Sequence, residues 1–187
     1  SAEDRLRELE ERIRRALKEL EDTNRRNEEH SKKLLEELAR SDRETEEEIK
    51  EALKRLTERK RDEEVEREIK EMIRDLERVV RESHRTVREL VKESERTVKE
   101  SLERVKRAID ELRRIVEEIR KLIEEGLPEE VVDRLIREVE ERLRDVRRLN
   151  EELSKRNKEL NDRVREVNEE LNRRIKKRLE EIKRRVE

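Results

Sequence analysis

The stretch EGLPEE at residues 125–130 decides the fold, because it holds the only glycine and the only proline of the chain. Glycine at Gly126 suits the left-handed residue just past the end of a helix, and Pro128 suits the first turn of the next helix. The glutamates that follow lie at the positive end of that helix's dipole. The stretch therefore predicts that one helix ends and another begins here.

A second break contains neither glycine nor proline and is found from the phase of the apolar residues. Residues 57–64 contain no apolar side chain. Helical steps from Leu56 miss the next apolar stripe, which begins at Val65 and Ile69, by nearly half a turn. We expect a loop at residues 59–62, with Asp62 as the N-cap of the following helix.

These two breaks predict three long helices, over residues 2–58, 63–125 and 128–186, joined by loops at 59–62 and 126–128. At 1.5 Å per residue, each helix is about 85–95 Å long. Near-equal lengths and short loops are typical of up-down-up bundles. The expected fold class is all-α, a three-helix bundle of long, nearly straight antiparallel helices that forms a single domain over residues 1–187.

The composition narrows the function classes. The 187 residues include 54 Lys or Arg and 56 Asp or Glu, apolar residues reach only 29%, and Cys and aromatic residues are absent. Without cysteine there is no disulfide framework and no thiolate metal site. No apolar run suits a transmembrane helix or a signal peptide, so we expect a soluble chain without a membrane partner or a targeting signal, cytoplasmic in an expression host. Balanced charge argues against nucleic acid as a partner, because phosphate binding needs a net basic face.

Each helix repeats on itself with a period of 18 residues. In the first helix, for example, Leu17, Leu35 and Leu53 align. Eighteen residues in five turns is the period of a straight helix, whereas a heptad repeat imposes a left-handed supercoil. The repeat therefore predicts a nearly untwisted bundle.

Polar residues interrupt this repeat on the core-facing stripes, where all seven Asn residues of the chain lie. If neighbouring helices fold back antiparallel at the midpoint of each loop, the numbers of two residues that face each other add up to roughly 123 for helices one and two and to roughly 253 for helices two and three. This pairing groups the polar residues into two tiers, each drawn from all three helices. The first tier contains Asn24, Asn27, Ser31, Ser94, Thr97, Ser101, Asn150, Ser154, Asn157 and Asn161, and the second contains Ser41, Asp42, Thr45, Ser83, His84, Thr86, Asn168 and Asn172.

Polar groups are buried at low cost only when they are hydrogen-bonded, so each tier predicts a connected hydrogen-bond network. A core of Leu and Val alone tolerates sliding of one helix along another. Displaced amides and hydroxyls, by contrast, would lose partners at about 1–3 kcal/mol each. We interpret the tiers as the structural polar network that specifies the fold.

Two groups of residues could in principle form a metal site or a catalytic site. The histidines, His30 and His84, are far apart in the proposed register and lack the Glu-x-x-His spacing of bundle metal sites, so we expect no metal and no cofactor. Ser41, Asp42, Ser83 and His84 include the residue types of a catalytic triad, but positions within continuous helices offer no free backbone N–H for an oxyanion hole. We interpret this group as the edge of a network with a His–Asp hydrogen bond, and expect no enzyme activity.

The 18-residue repeat, the two short loops, the surface of Glu, Lys and Arg, the absence of Gln and aromatic residues, and the polar tiers together resemble de novo designed helical bundles with buried hydrogen-bond networks. The resemblance covers the whole chain and is one of style, because no family signature is present to match. It implies a structural scaffold, a component of a designed oligomer or heterodimer, or a switchable cage.

Three functions remain open. The first is a structural scaffold with no natural activity and no required partner. The second is an interaction module that self-associates, or that exchanges helix one for a designed helical partner. Helix one has no apolar residue from Glu21 to Lys33, where we expect it to cover a polar groove between the other two helices. The third is a binder of a small polar ligand in the Asn-lined interior.

Overall fold

A computed structural model of the chain describes residues 1–186. It contains three α-helices, α1 (Ala2–Thr57), α2 (Glu63–Glu124) and α3 (Glu129–Val186), and these described residues include no strand. All three pairs of helices are in contact. The prediction of an all-α three-helix bundle is confirmed. Within residues 1–186, no helix has an apolar stretch long enough to cross a membrane.

The turn at Gly126 has the geometry that its sequence predicts. Gly126 adopts a φ of 86°, in the left-handed region. Its N–H donates to the carbonyl of Ile123 at 3.1 Å, and the N–H of Leu127 donates to the carbonyl of Leu122 at 3.0 Å. This pair of bonds is a Schellman motif, which satisfies the last carbonyls of α2. Pro128 lies one residue before α3 rather than inside it, and its carbonyl accepts the first N–H bonds of that helix.

The loop between α1 and α2 lies close to its predicted place. The helix α1 ends at Thr57, one residue before the predicted end, and α2 begins at Glu63. The carbonyl of Asp62 accepts a bond from the N–H of Glu66 at 3.0 Å, as the N-cap of α2 should. Glu63 and Glu64 then stand in the first turn, where the helix dipole favours negative charge.

Contact density divides the chain into two compact units. The first unit comprises Ser1–Glu29 and Glu95–Glu159, and the second comprises His30–Ser94 and Leu160–Glu187, of which the structure describes all but the last residue. Each helix contributes one segment to each unit. The prediction of a single domain stays a prediction.

The first unit has an aliphatic core built from all three helices. Ion pairs show which residues of neighbouring helices face each other. Arg142 of α3 lies 3.9 Å from Glu111 of α2, and the two residue numbers add up to 253, as predicted for antiparallel neighbours. The pair Arg120–Glu10 totals 130, which exceeds the predicted 123 for α1 and α2. The buried apolar residues are Leu6, Leu9, Ile13, Ala16 and Leu20 of α1, Val98, Val105, Ile109, Leu112, Val116 and Ile119 of α2, and Val132, Ile136, Val139, Leu143, Val146 and Leu153 of α3.

The second unit contains two apolar clusters. The smaller cluster joins Leu34 and Leu38 of α1 to Val87 and Val91 of α2 and to Val164 of α3. The larger cluster lies near the 59–62 loop and comprises Ile49, Ala52, Leu56, Ile69, Ile73, Leu76, Val80, Ile175, Leu179, Ile182 and Val186. The side chains of the second polar tier lie in the part of the sequence between the residues of these clusters.

Candidate functional site

The second tier lies entirely in the second unit, and Ser41 is its centre. The Ser41 hydroxyl oxygen accepts a hydrogen bond from Asn172 Nδ2 at 2.5 Å and a longer one from Asn168 Nδ2 at 3.5 Å. These bonds join α1 to α3, two helices that are not consecutive in the chain. Thr45 is buried, and its hydroxyl donates to the Ser41 carbonyl one turn earlier in the same helix at 3.0 Å.

Asp42 and His84 form the contact between α1 and α2 that the sequence predicts. His84 Nε2 lies 3.0 Å from Asp42 Oδ1, and the two side chains are 12% and 28% exposed respectively. The Nε2 atom makes no hydrogen bond that meets the distance and angle requirements, so the two groups are adjacent without the predicted His–Asp hydrogen bond. The residue numbers total 126, within one helical turn of the predicted total of roughly 123.

Burial controls the electrostatics of Asp42. Removal of the carboxylate from water raises the pKa of Asp42 above its ordinary value of 3.8, and the charge of Glu46 acts in the same direction. The positive charges of His84 and Arg88 lower this pKa and offset part of that effect. Asp42 can therefore bind a proton near the core. The Ser41 hydroxyl oxygen, however, already accepts hydrogen bonds from the two α3 amides, Asn168 and Asn172. All these residues stand in continuous helices, whose N–H groups are used by the preceding turn, so the arrangement suits polar packing better than acyl transfer.

Two further members of this tier differ in position. Ser83 is buried on α2, as predicted. Thr86 is exposed, and its hydroxyl donates to the Glu82 carbonyl of its own helix at 2.9 Å, so Thr86 does not join the tier. The buried stripe follows Ser83, Val87 and Val91, and Thr86 is turned about 100° away from Val87 around the helix axis.

Most of the first tier lies in the first unit, and its amides are the most buried members. Asn27, Asn150 and Asn157 are 5%, 8% and 3% exposed. Asn24 is half-buried, and its Nδ2 donates to Glu28 of the same helix at 3.5 Å. Thr97, Ser101 and Ser154 are half-buried, and the Ser101 hydroxyl donates to the Thr97 carbonyl at 3.0 Å.

The buried amides of the first unit include atoms without a partner. Asn27 Nδ2, Asn150 Oδ1 and Asn157 Nδ2 have no hydrogen-bond partner among the residues that the structure describes. A buried polar atom in this state costs about 1–3 kcal/mol, so each requires an explanation. The connected network that the sequence predicts for this tier stays a prediction.

The remaining first-tier residues belong to the second unit. Ser31 of α1 and Ser94 of α2 are half-buried there, and Asn161 of α3 is 5% exposed. All the residues of the second tier thus belong to one unit, whereas the residues of the first tier are divided between the two units.

Sequence reasoning missed two polar residues. Thr23 is among the most buried residues of α1, at 1% exposed, yet it was not assigned to a tier. Its spacing from Leu20 and Asn27, three and four residues along one stripe, is the signal that identifies it. Arg61 was assigned only to a loop, although its guanidinium binds carbonyls at the ends of α1 and α3. No periodic pattern reveals such a contact.

The described residues contain no group of three or more His, Cys, Asp and Glu side chains placed to hold a metal ion. His30 is exposed on α1, whereas His84 is half-buried beside Asp42. Comparisons with family models, with curated proteins and with solved structures find no match for the chain.

Proposed function

We propose that this protein is a designed structural scaffold, a helical bundle with no natural biochemical activity whose fold is specified by buried tiers of Asn, Ser and Thr. One observation carries the proposal: the core is aliphatic except for amides and hydroxyls from all three helices. Buried Asn27 and Thr45 lie on α1, Ser83 lies on α2, and Asn150 and Asn157 lie on α3.

The buried polar residues contribute specificity rather than stability. An apolar side chain at each of these positions would gain about 25 cal/mol per Å² of surface buried, whereas an amide gains little and loses heavily if it is displaced from a partner. The bond from Asn172 to Ser41 is of this kind, because sliding α3 along α1 breaks it. Polar residues that bond between helices in this way therefore favour one alignment over others.

The surface supports a passive role. Oppositely charged side chains alternate along it and pair within and between helices, as in Arg174–Glu170 at 3.0 Å and Arg165–Glu37 at 2.9 Å. Exposed pairs contribute about 0–1 kcal/mol each, so they chiefly keep the surface hydrated. The near balance of 54 basic and 56 acidic residues leaves no strong field to attract a charged partner.

The test is a full-chain variant in which Asn27, Thr45, Ser83, Asn150, Asn157 and Asn161 become Leu or Val. We expect a higher free energy of unfolding, because unpartnered buried atoms of Asn27, Asn150 and Asn157 are removed and apolar area is gained. We also expect poorer amide dispersion and mixed masses in light scattering, because alternative registers become available. A control variant carries the same number of substitutions at exposed Lys and Glu positions, changed to Gln. A less stable core variant that remains one well-dispersed species of the parent mass would contradict the proposal.

A second candidate function is an interaction module, which self-associates or exchanges α1 for a competing helix. The observation that favours it is the stretch from Glu21 to Lys33, where α1 buries Thr23 and Asn27 in place of apolar side chains. Such a stretch gains less from burial and opens more easily. Titration of the whole protein with a labelled peptide of residues 2–57 separates the two functions, since a scaffold binds none of it and a module incorporates it. Light scattering of the protein alone reports self-association.

A further inference from the structure

We propose that the first unit contains a binding site for a buried water molecule between α1 and α3, held by the side-chain amides of Asn27 and Asn157. The inference does not rest on the proposed function, because it concerns two side chains of this chain whatever the chain is used for. It accounts for two of the unpartnered atoms described above.

The register of α1 and α3 places the two amides at the same level. Arg5 pairs with Asp133 and Glu19 pairs with Arg147, so a residue of α1 in this unit faces the α3 residue whose number is higher by 128. Asn27 therefore faces position 155, and Asn157 lies two residues further, which is about 3 Å along the helix axis. Both side chains are more than nine-tenths buried. Two amides from different helices thus stand at one level of the core.

With the two amides oriented as the structure has them, an acceptor is needed between the two nitrogen atoms. Asn27 Nδ2 and Asn157 Nδ2 are both N–H donors, and two donors cannot satisfy each other. A water oxygen accepts two hydrogen bonds and brings two O–H groups of its own. Ser154, half-buried on the same turn of α3, carries a hydroxyl oxygen that can accept one of them. This gives the water three polar partners, within the range that buried waters in proteins have.

Charge decides between water and other small ligands. Asn27, Asn157 and Ser154 are neutral, so an anion at this level would lose its hydration without a cation to replace it. The main competing arrangement is a direct bond between the two amides. Rotation of one amide by half a turn exchanges its Oδ1 and Nδ2 and brings an acceptor to the other donor. This arrangement needs no water, and the experiment must separate the two.

The experiment measures water directly in the unmodified, isotope-labelled protein. We expect magnetisation transfer between bound water and the side-chain NH₂ protons of Asn27 and Asn157, with the sign of a water that tumbles with the protein. The Ser154 hydroxyl can relay such a signal by proton exchange, so the measurement is repeated on Asn157→Leu, which keeps Ser154 and removes one of the two amides that hold the water. The signal at the Asn27 NH₂ protons should fall in that variant. Absence of the signal in the parent, or a signal of unchanged strength at Asn27 in Asn157→Leu, overturns the proposal.

A double-mutant cycle supplies a second readout. Asn27→Leu and Asn157→Leu should each raise the unfolding equilibrium constant about tenfold, because each leaves the other donor with a poorly held water. The double variant should recover that loss of stability, because both donors and the water leave together. As a control, Asn24→Leu should combine additively with Asn157→Leu, since Asn24 bonds within its own helix. Additive effects at Asn27 and Asn157 overturn the proposal, and strong coupling without the water signal overturns it in favour of a direct amide–amide bond.

Discussion

Arg61 is the residue whose removal should most clearly weaken the loop end of the second unit. Its guanidinium donates to the Leu56 carbonyl at 2.8 Å, in the last turn of α1. It also donates to the Val186 carbonyl of α3, from Nε at 3.2 Å and from the terminal nitrogen at 2.5 Å. A third acceptor, the Arg59 carbonyl at 3.3 Å, fixes the loop itself. One side chain thus binds orphan carbonyls at the ends of two helices.

The magnitude follows from the kind of bond. Hydrogen bonds to a charged group contribute about 1.5–3 kcal/mol each when they are sheltered. Arg61 is half-buried, and water can replace it at both carbonyls, so the low end of that range applies. We expect Arg61→Ala to lower the free energy of unfolding by about 2 kcal/mol. Arg61→Lys should recover less than half of this loss, because a single ammonium group cannot reach several carbonyls in a fixed fork.

Two measurements check this prediction. Urea denaturation reports the global loss, and amide hydrogen exchange over residues 179–186 reports local opening, which should accelerate about 30-fold if the full 2 kcal/mol acts there. Lys60→Ala, an exposed position in the same loop, is the matched control and should change neither measurement. If Arg61→Ala leaves both the unfolding midpoint and the exchange of α3 unchanged, the carbonyl contacts do not contribute to stability and the reasoning fails.

Two further predictions concern the core and the pH dependence, and both are read by urea denaturation. Leu143 is fully buried, so Leu143→Ala should lower the free energy of unfolding by about 2–5 kcal/mol. Leu149, in the same helix, is 46% exposed, and Leu149→Ala should change that free energy by no more than about 0.5 kcal/mol. Similar losses at both sites would contradict the core assignment. Because burial raises the pKa of Asp42 above 3.8, the folded state favours the protonated carboxyl group. The contribution of this preference to the free energy of unfolding is complete below pH 3.8 and is lost as the pH rises through the folded-state pKa. Asp42→Asn should therefore be more stable than the parent at pH 7 and equal to it near pH 3, with Asp75→Asn on the exposed face as a control; a difference that does not change with pH would refute the role of burial.

The helices and their ends were predictable because they depend on local chemistry. The sequence predicts Gly126 at the left-handed position past a helix, and this residue adopts a positive φ. The sequence also predicts Asp62 as an N-cap, and its carbonyl accepts the first bond of α2. The antiparallel register of α2 and α3 followed from the short turn at Gly126, because a tight connection leaves little freedom to slide. The longer loop at 59–62 left the register of α1 and α2 less well determined.

The details of the polar tiers were less predictable, because they depend on angles and on packing. Thr86 and Ser83 are three residues apart, yet only Ser83 faces the core. Leu149 follows the same apolar pattern as Leu153 but is exposed, because it stands at the edge of the buried stripe of α3. The direction of an amide such as Asn157 is a choice of side-chain rotation that residue spacing does not determine.

The polar side chains of the tiers differ in whether their hydrogen bonds stay within one helix or join two helices, and only bonds of the second kind carry register information. The hydroxyls of Thr45 and Ser101 each donate to the carbonyl four residues earlier in their own helix. Such a bond survives any displacement of a neighbouring helix, so it specifies nothing about alignment. The amide of Asn172 instead donates across to Ser41 on α1, and sliding either helix breaks the bond.

Substitution of the two classes should therefore separate stability from alignment. Thr45→Val keeps the shape and removes a bond internal to α1, so the variant should keep one register and lose little stability. Asn172→Leu removes the bond from Asn172 to Ser41, which joins α3 to α1. It should therefore broaden the amide signals of residues around Ser41, even if the added apolar surface raises the free energy of unfolding. If Thr45→Val disturbs the spectrum as much as Asn172→Leu does, hydroxyls and amides specify alignment equally, and the polar tiers act through their burial rather than through bonds between helices.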